Sequence, residues 1–149
     1  MDIAFFRYQA LTKGFTSDEI ARFAAMLSEQ KLAAGERLCV EGAQPRGLFL
    51  VRDGRLKVAK RAANGQEQAL ATLDAPTAIG ELEIVTGDPS SASVIADCDV
   101  VAYLLPVAAF DQLVERGDAI ATKMVRNIAR VAIRRLAETN TRMVALMSP

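Results

Sequence analysis

The chain has 149 residues, 51% of them apolar, with eighteen basic and eighteen acidic side chains. That length allows one domain with a sizeable core, and a net charge of zero gives no whole-protein field to gather nucleic acid or a membrane surface. Histidine is absent, which excludes His-dependent acid–base and nucleophilic catalysis and any metal site that needs imidazole.

Two cysteines cannot supply a four-thiolate iron–sulfur cluster. Cys39 and Cys98 are read as strand residues, for which buried, unreactive thiols in a reducing compartment are expected. No apolar run approaches the roughly 18 residues of a membrane span, and Met1-Asp2-Ile3 lacks the basic start of a secretion signal. The default compartment is therefore the cytoplasm. Charge is unevenly placed. From Asp118 onward six Lys/Arg face two acids, a net +4, which leaves −4 in the rest of the chain.

In chain order, residues 3–12 (Ile3, Phe5, Phe6, Tyr8, Leu11) suit a short helix docked on the core. Thr16 with Glu19 three residues on reads as a capping box, and Ile20, Phe23, Ala24 and Leu27 follow at helical spacing, predicting a helix over 17–28. From Lys31 the pattern changes to short apolar runs divided by Ala34-Gly35, Glu41-Gly42, Asp53-Gly54 and Asn64-Gly65. Asp-Gly and Asn-Gly between such runs are strong hairpin signals. They predict strands over 37–41, 47–52, 55–61, 67–73, 93–97 and 99–105, hence a barrel, jelly roll or sandwich. Pro106 to Arg116 reads as a helix, broken by Gly117. Asp118 caps a final helix reaching about residue 146.

That final helix, some 42 Å long at 1.5 Å per residue, exceeds what a small roll can cover. Its apolar positions Val125, Ile128, Ala132, Leu136 and Met143 recur at steps of three and four, a seam suited to a helix–helix interface. A homodimer is expected, against a monomer whose helix folds back on its own roll. Lys123, Arg126, Arg130 and Arg134 form a second stripe, open to reading as a solvated face or as a docking site for an acidic protein partner.

The most informative stretch is Ile79-Gly80-Glu81-Leu82-Glu83-Ile84-Val85-Thr86-Gly87-Asp88-Pro89-Ser90-Ser91-Ala92-Ser93-Val94. A short helical turn opens at Gly-Glu-Leu, and a Gly-Asp-Pro corner leads through small residues into a strand. The segment resembles the phosphate-binding cassette of cyclic nucleotide-binding domains. Leu48 to Val58, with its Asp53-Gly54 turn, and Ala34-Gly35-Glu36 followed by Glu41-Gly42 resemble the same family, so the likeness covers about 15–147.

The resemblance implies a mainly β fold with flanking helices (α+β): one domain over 1–149, with N-terminal helices in 1–30, a β-roll of jelly-roll type in 31–105 and C-terminal helices in 106–147. It implies a non-enzymatic regulatory module with no cofactor and no metal, whose ligand would be a cyclic nucleotide. Glu81 stands where the family's carboxylate grips the ribose, Ser90 where its arginine pairs with the cyclic phosphate, and Glu83 where it has Ala or Gly. The candidate ligand-binding residues are Gly80, Glu81, Leu82, Ser90, Ser91 and Ala92, joined by Thr139 and Asn140 at the place where the family's last helix contacts the base. Arg46, Arg52 or a partner chain's Arg135 are candidates for replacing the missing guanidinium.

Losing one partner of a buried charge pair costs about 2–5 kcal/mol. A Glu83 carboxylate ~5 Å from a phosphate would add about 3 kcal/mol at an effective dielectric near 20. Weak or absent cAMP and cGMP binding is expected, with signalling through the last helix. The alternative is a ligand-independent interaction scaffold working through that helix's basic face. The family's transcription factors carry a helix-turn-helix after this helix and this chain stops there, so nucleic acid is not an expected partner.

Overall fold

The computed structural model describes residues 3–7 and 9–147; Tyr8, placed in the first predicted helix, lies outside them. The chain opens with α1 (Ile3–Arg7), a 3-10 turn (Ala10–Thr12) and α2 (Ser17–Ala25). Eight strands follow: β1 (Ser28–Leu32), β2 (Arg37–Cys39), β3 (Gly47–Asp53), β4 (Arg55–Arg61), β5 (Glu67–Asp74), β6 (Thr77–Ile79), β7 (Ser93–Ala96) and β8 (Val100–Pro106). Between β6 and β7 lies α3 (Glu81–Thr86), and α4 (Val107–Glu115) and α5 (Ala119–Met147) close the chain.

The strands form two antiparallel four-stranded sheets, ordered β1-β8-β3-β6 and β2-β7-β4-β5. Alternation along β3 decides the layers. Phe49 and Val51 point between the sheets with Leu56, Val94, Ala102 and Leu104, while Leu48 and Leu50 point out toward the helices with Tyr103 and Leu105. On that outer layer Phe6, Phe23, Ile120 and Met124 complete a second core. β3 is thus buried on both faces, which is why Leu48-Phe49-Leu50-Val51 reads as an unbroken apolar run.

The capping box forms as expected: Glu19 N–H donates to Thr16 Oγ1 at 3.1 Å, and Thr16 N–H to Glu19 Oε1 at 2.9 Å. Asp118 caps α5 by accepting from Ile120 N–H at 3.0 Å. Four differences from the sequence reading have plain causes. α2 stops at Ala25 because Ser28 to Leu32 form an edge strand in which only Leu32 is buried, so its alternation is hidden. β6 is three residues long, below what periodicity resolves. Pro106 is the last residue of β8 and sits just before α4. Cys98 is exposed in the turn between β7 and β8, where Asp97 and Asp99 flank it; only Cys39 is buried.

Sequence reasoning missed buried polar residues of the N-terminal layer, Asn127 above all. Asn127, in the early turns of α5, is 2% exposed and donates to the carbonyls of Leu11 at 2.8 Å and Lys13 at 2.9 Å. Backbone carbonyls that leave a 3-10 turn need partners, and this side chain supplies them.

Candidate functional site

The cassette starts where β6 pairs with β3, with Ile79 opposite Phe49. Gly80 then turns the chain at φ 84°, and a Cβ there would lie 2.8 Å from the carbonyl oxygen of Gly47. Only glycine meets both conditions, so the entry to α3 is fixed by the β3 backbone behind it. After α3 and Gly87, the corner returns over the loop following β2. Ser90 N–H donates to Ala43 O at 2.9 Å, Gly42 N–H donates to Ser90 O at 2.8 Å, and Glu41 N–H donates to Ser93 Oγ at 3.0 Å.

These constraints leave a cavity of about 370 Å³ between the cassette, the β2–β7–β4–β5 sheet and α5. Cys39, Val58, Leu73, Ala78, Ile79 and Val94 give it an apolar wall. Gly80, Glu81, Leu82 and Glu83 line one polar side and Ser90, Ser91 and Ala92 the other. The six cassette residues selected from sequence are therefore brought together around one space. From α5 the lining takes Arg135 and not Thr139 or Asn140. Thr139 Oγ1 donates instead to the Arg135 carbonyl one turn back, at 2.9 Å, and both residues are exposed.

Arg135 Nη1 donates to Glu81 Oε1 at 2.8 Å. The carboxylate end of this pair is 10% exposed and the guanidinium end 61%, so α5 reaches over the rim and closes on the cassette from outside. Within the chain, this arginine engages the carboxylate rather than the serine end. Neither Arg46 nor Arg52 substitutes at the serine end. Arg46 donates to Gln30 at 3.3 Å and lies over the Phe49 ring, and Arg52 is held by Asp53 and the Tyr103 hydroxyl.

Ser90, 5% exposed, lies beside the Cys39 thiol. Burial pushes that thiol up to about 11, with the charges of Glu83 and Glu81 adding to the rise. Glu83 does not turn away: Ser91 Oγ donates to its Oε1 at 3.4 Å. Among the described residues Lys60 also reaches this row: its Nζ donates to the Ser91 carbonyl at 2.9 Å and lies 4.0 Å from Glu41.

The profile of the cyclic nucleotide-binding domain matches residues 29–117. The chain belongs to the cyclic nucleotide-binding domain family. Glutaminase 2 of Bradyrhizobium diazoefficiens is 31% identical over 134 residues, which take in 90% of this chain and 21% of that protein; the chain thus spans about a fifth of that relative's length. A cyclic nucleotide-binding domain from Methylobacillus flagellatus superposes with a TM-score of 0.81 at 21% identity, covering 99% of this chain and 86% of that one. A regulatory subunit of a cAMP-independent protein kinase A from Trypanosoma brucei, a triple mutant bound to cAMP, superposes with a TM-score of 0.75 at 21% identity, covering 87% and 45%. At that identity both superpositions speak to the fold.

In this cyclic nucleotide-binding domain the seam proposed on α5 is split. Ile128 is 3% exposed and packs in the chain's own core beside Met124, which removes it from any exposed face. Val125, Ala132, Leu136 and Met143 fall within about 40° of one another at 100° per residue, on a side that stays open. Leu136 is 61% and Met143 54% exposed. Lys123 leaves the basic stripe to pair with Glu19, and Arg130 donates to Asn127 Oδ1 at 3.2 Å. Among the described residues no helix is long and apolar enough to cross a membrane, and no cluster of metal-ligating side chains occurs.

Proposed function

We propose that this cytoplasmic domain is a non-enzymatic regulatory module whose pocket holds cAMP and cGMP weakly or not at all, and whose last helix carries the state of the pocket to a partner. The observation that carries the reading is the pairing of Glu81 with Arg135 while Ser90 and Glu83 flank the opposite end. The family's ribose carboxylate is engaged by the chain's own helix, and Arg135, the guanidinium in the lining, is bonded to that carboxylate rather than to the serine row. Missing that partner lowers affinity by a factor of roughly 30 to several thousand, so dissociation constants of tens of micromolar or weaker are expected.

The Trypanosoma brucei structure supports this assignment. The mutant bound to cAMP there carries a glutamate-to-alanine change, a threonine-to-arginine change seven positions on, and a valine-to-alanine change at the next position. Glu83, Ser90 and Ser91 have the same spacing here. Calorimetry on the wild type and on the Glu83→Ala, Ser90→Arg, Ser91→Ala triple variant tests it. The variant gains at least tenfold in cAMP or cGMP affinity; sub-micromolar cAMP binding by the wild type overturns the reading.

The partner in this scheme is a second copy meeting at Val125, Ala132, Leu136 and Met143, and the match to Glutaminase 2 supports an enzyme as the thing regulated. The exposure of every residue from Ile133 to Met147 also favours a second reading, a ligand-independent scaffold using Arg126, Arg130 and Arg134. Charge reversal at Arg126 and Arg130 abolishes partner capture only under that reading.

A further inference from the structure

Resting on that reading and deepening it, we infer that the pocket takes an uncharged ribonucleoside, held by its ribose diol, in place of a cyclic phosphate. The charge balance of the lining comes first. Glu81 and Arg135 neutralise each other at 2.8 Å, which leaves Glu83 as the one unbalanced charge among the lining residues and makes the lining net −1. Lys60 offsets little of this, since it is exposed and is bonded to the Ser91 carbonyl beside Glu41. A phosphate diester would bring a second negative charge to Glu83, while a neutral diol brings none.

Hydrogen-bonding capacity comes second. A carboxylate accepts about four hydrogen bonds, and Arg135 donates to Glu81 through Oε1. Glu81, itself buried in the cavity lining, therefore keeps acceptor capacity for two ribose hydroxyls. The Ser91 hydroxyl, 3.4 Å from Glu83, is set to exchange that long bond for one to a neutral 5′-hydroxyl. Shape comes third. At about 370 Å³ the cavity lies toward the small end of small-molecule sites. Val58, Leu73 and Val94 present an apolar wall, to which a flat heterocycle can be applied without desolvating a charge.

The test is calorimetry of the whole chain with adenosine, guanosine, inosine, cytidine and uridine, their 2′-deoxy forms and the corresponding 3′,5′-cyclic monophosphates. At least one ribonucleoside binds tenfold or more tightly than its own cyclic monophosphate and than its own 2′-deoxy form. The Glu83→Ala, Ser90→Arg double variant, which leaves Glu81 and Arg135 in place, shrinks or inverts the preference for nucleoside over cyclic monophosphate. A 2′-deoxy form that binds as well as its parent overturns the inference. So does silence from every nucleoside up to millimolar concentration with cyclic monophosphates equally silent, an outcome that leaves the preceding reading standing. Sub-micromolar binding of a cyclic monophosphate overturns both.

Discussion

Replacing Arg135 with alanine tests whether the last helix is energetically tied to the cassette. The Glu81 carboxylate it would abandon is 10% exposed and the guanidinium is 61% exposed. With both ends buried, removing one partner would cost about 3–5 kcal/mol; with both on the surface the pair would contribute about 0.2–1 kcal/mol. One end lies in each environment and water screens the arginine, so Arg135→Ala is expected to destabilise by about 1–2 kcal/mol. In a domain of this size that lowers Tm by about 3–6 °C. Part of any loss would come from the arginine's methylene packing, so the decisive measurement is a double-mutant cycle in urea with Glu81→Gln, read as coupling energy. Coupling of about 0.5–1.5 kcal/mol, weakened by salt, is the expected result. Coupling below about 0.3 kcal/mol, within the scatter of independent sites, would refute the view that this contact joins helix to pocket.

Two further outcomes follow from side chains outside the pocket mouth. In native protein at pH 8 a thiol reagent modifies Cys98 and spares Cys39, because burial raises the Cys39 thiol to about 11; denaturant exposes a second reactive thiol, and two fast equivalents in the native state would contradict the packing. The hydrogen bond from Lys123 holds the Glu19 carboxyl below the usual range, and the Ile120 N–H, with Arg22, does the same for Asp118. A carboxyl depressed on folding adds stability above its unfolded value and loses it as pH falls through the folded value. Stability should therefore decline from about pH 5 downward, and Glu19→Gln should flatten that slope; an unchanged slope in urea titrations at pH 7, 5 and 4 would remove Glu19 from the account.

How much of this was legible in the sequence depended on whether a signal was local. Thr16 with Glu19, the Asp53-Gly54 turn and Asp118 each dictate their own neighbourhood, and each forms as read. The cassette residues converge because Gly80 and the Ser90 backbone bonds fix them from within a short stretch. The misses depend on distant partners. Nothing near Arg135 announces Glu81, 54 positions away. Nothing near Ile128 distinguishes a seam facing another molecule from one facing the chain's own β3 and β8 layer. Cys98 reads as a strand residue although the predicted strands end at 97 and resume at 99; between Asp97 and Asp99 it lies in the turn and is exposed.

Asn127 sets where motion in the last helix can begin. Its two bonds to the Leu11 and Lys13 carbonyls bolt the first turns of α5 to the N-terminal segment, and breaking them would strand the buried Leu11 carbonyl at about 1–3 kcal/mol. Under the proposed signalling, a swing triggered from the pocket would not start at the root of the helix. Its pivot would lie between Asn127 and Arg135, and the helix beyond would act as a lever turning a small displacement at Glu81 into a larger one at Met143.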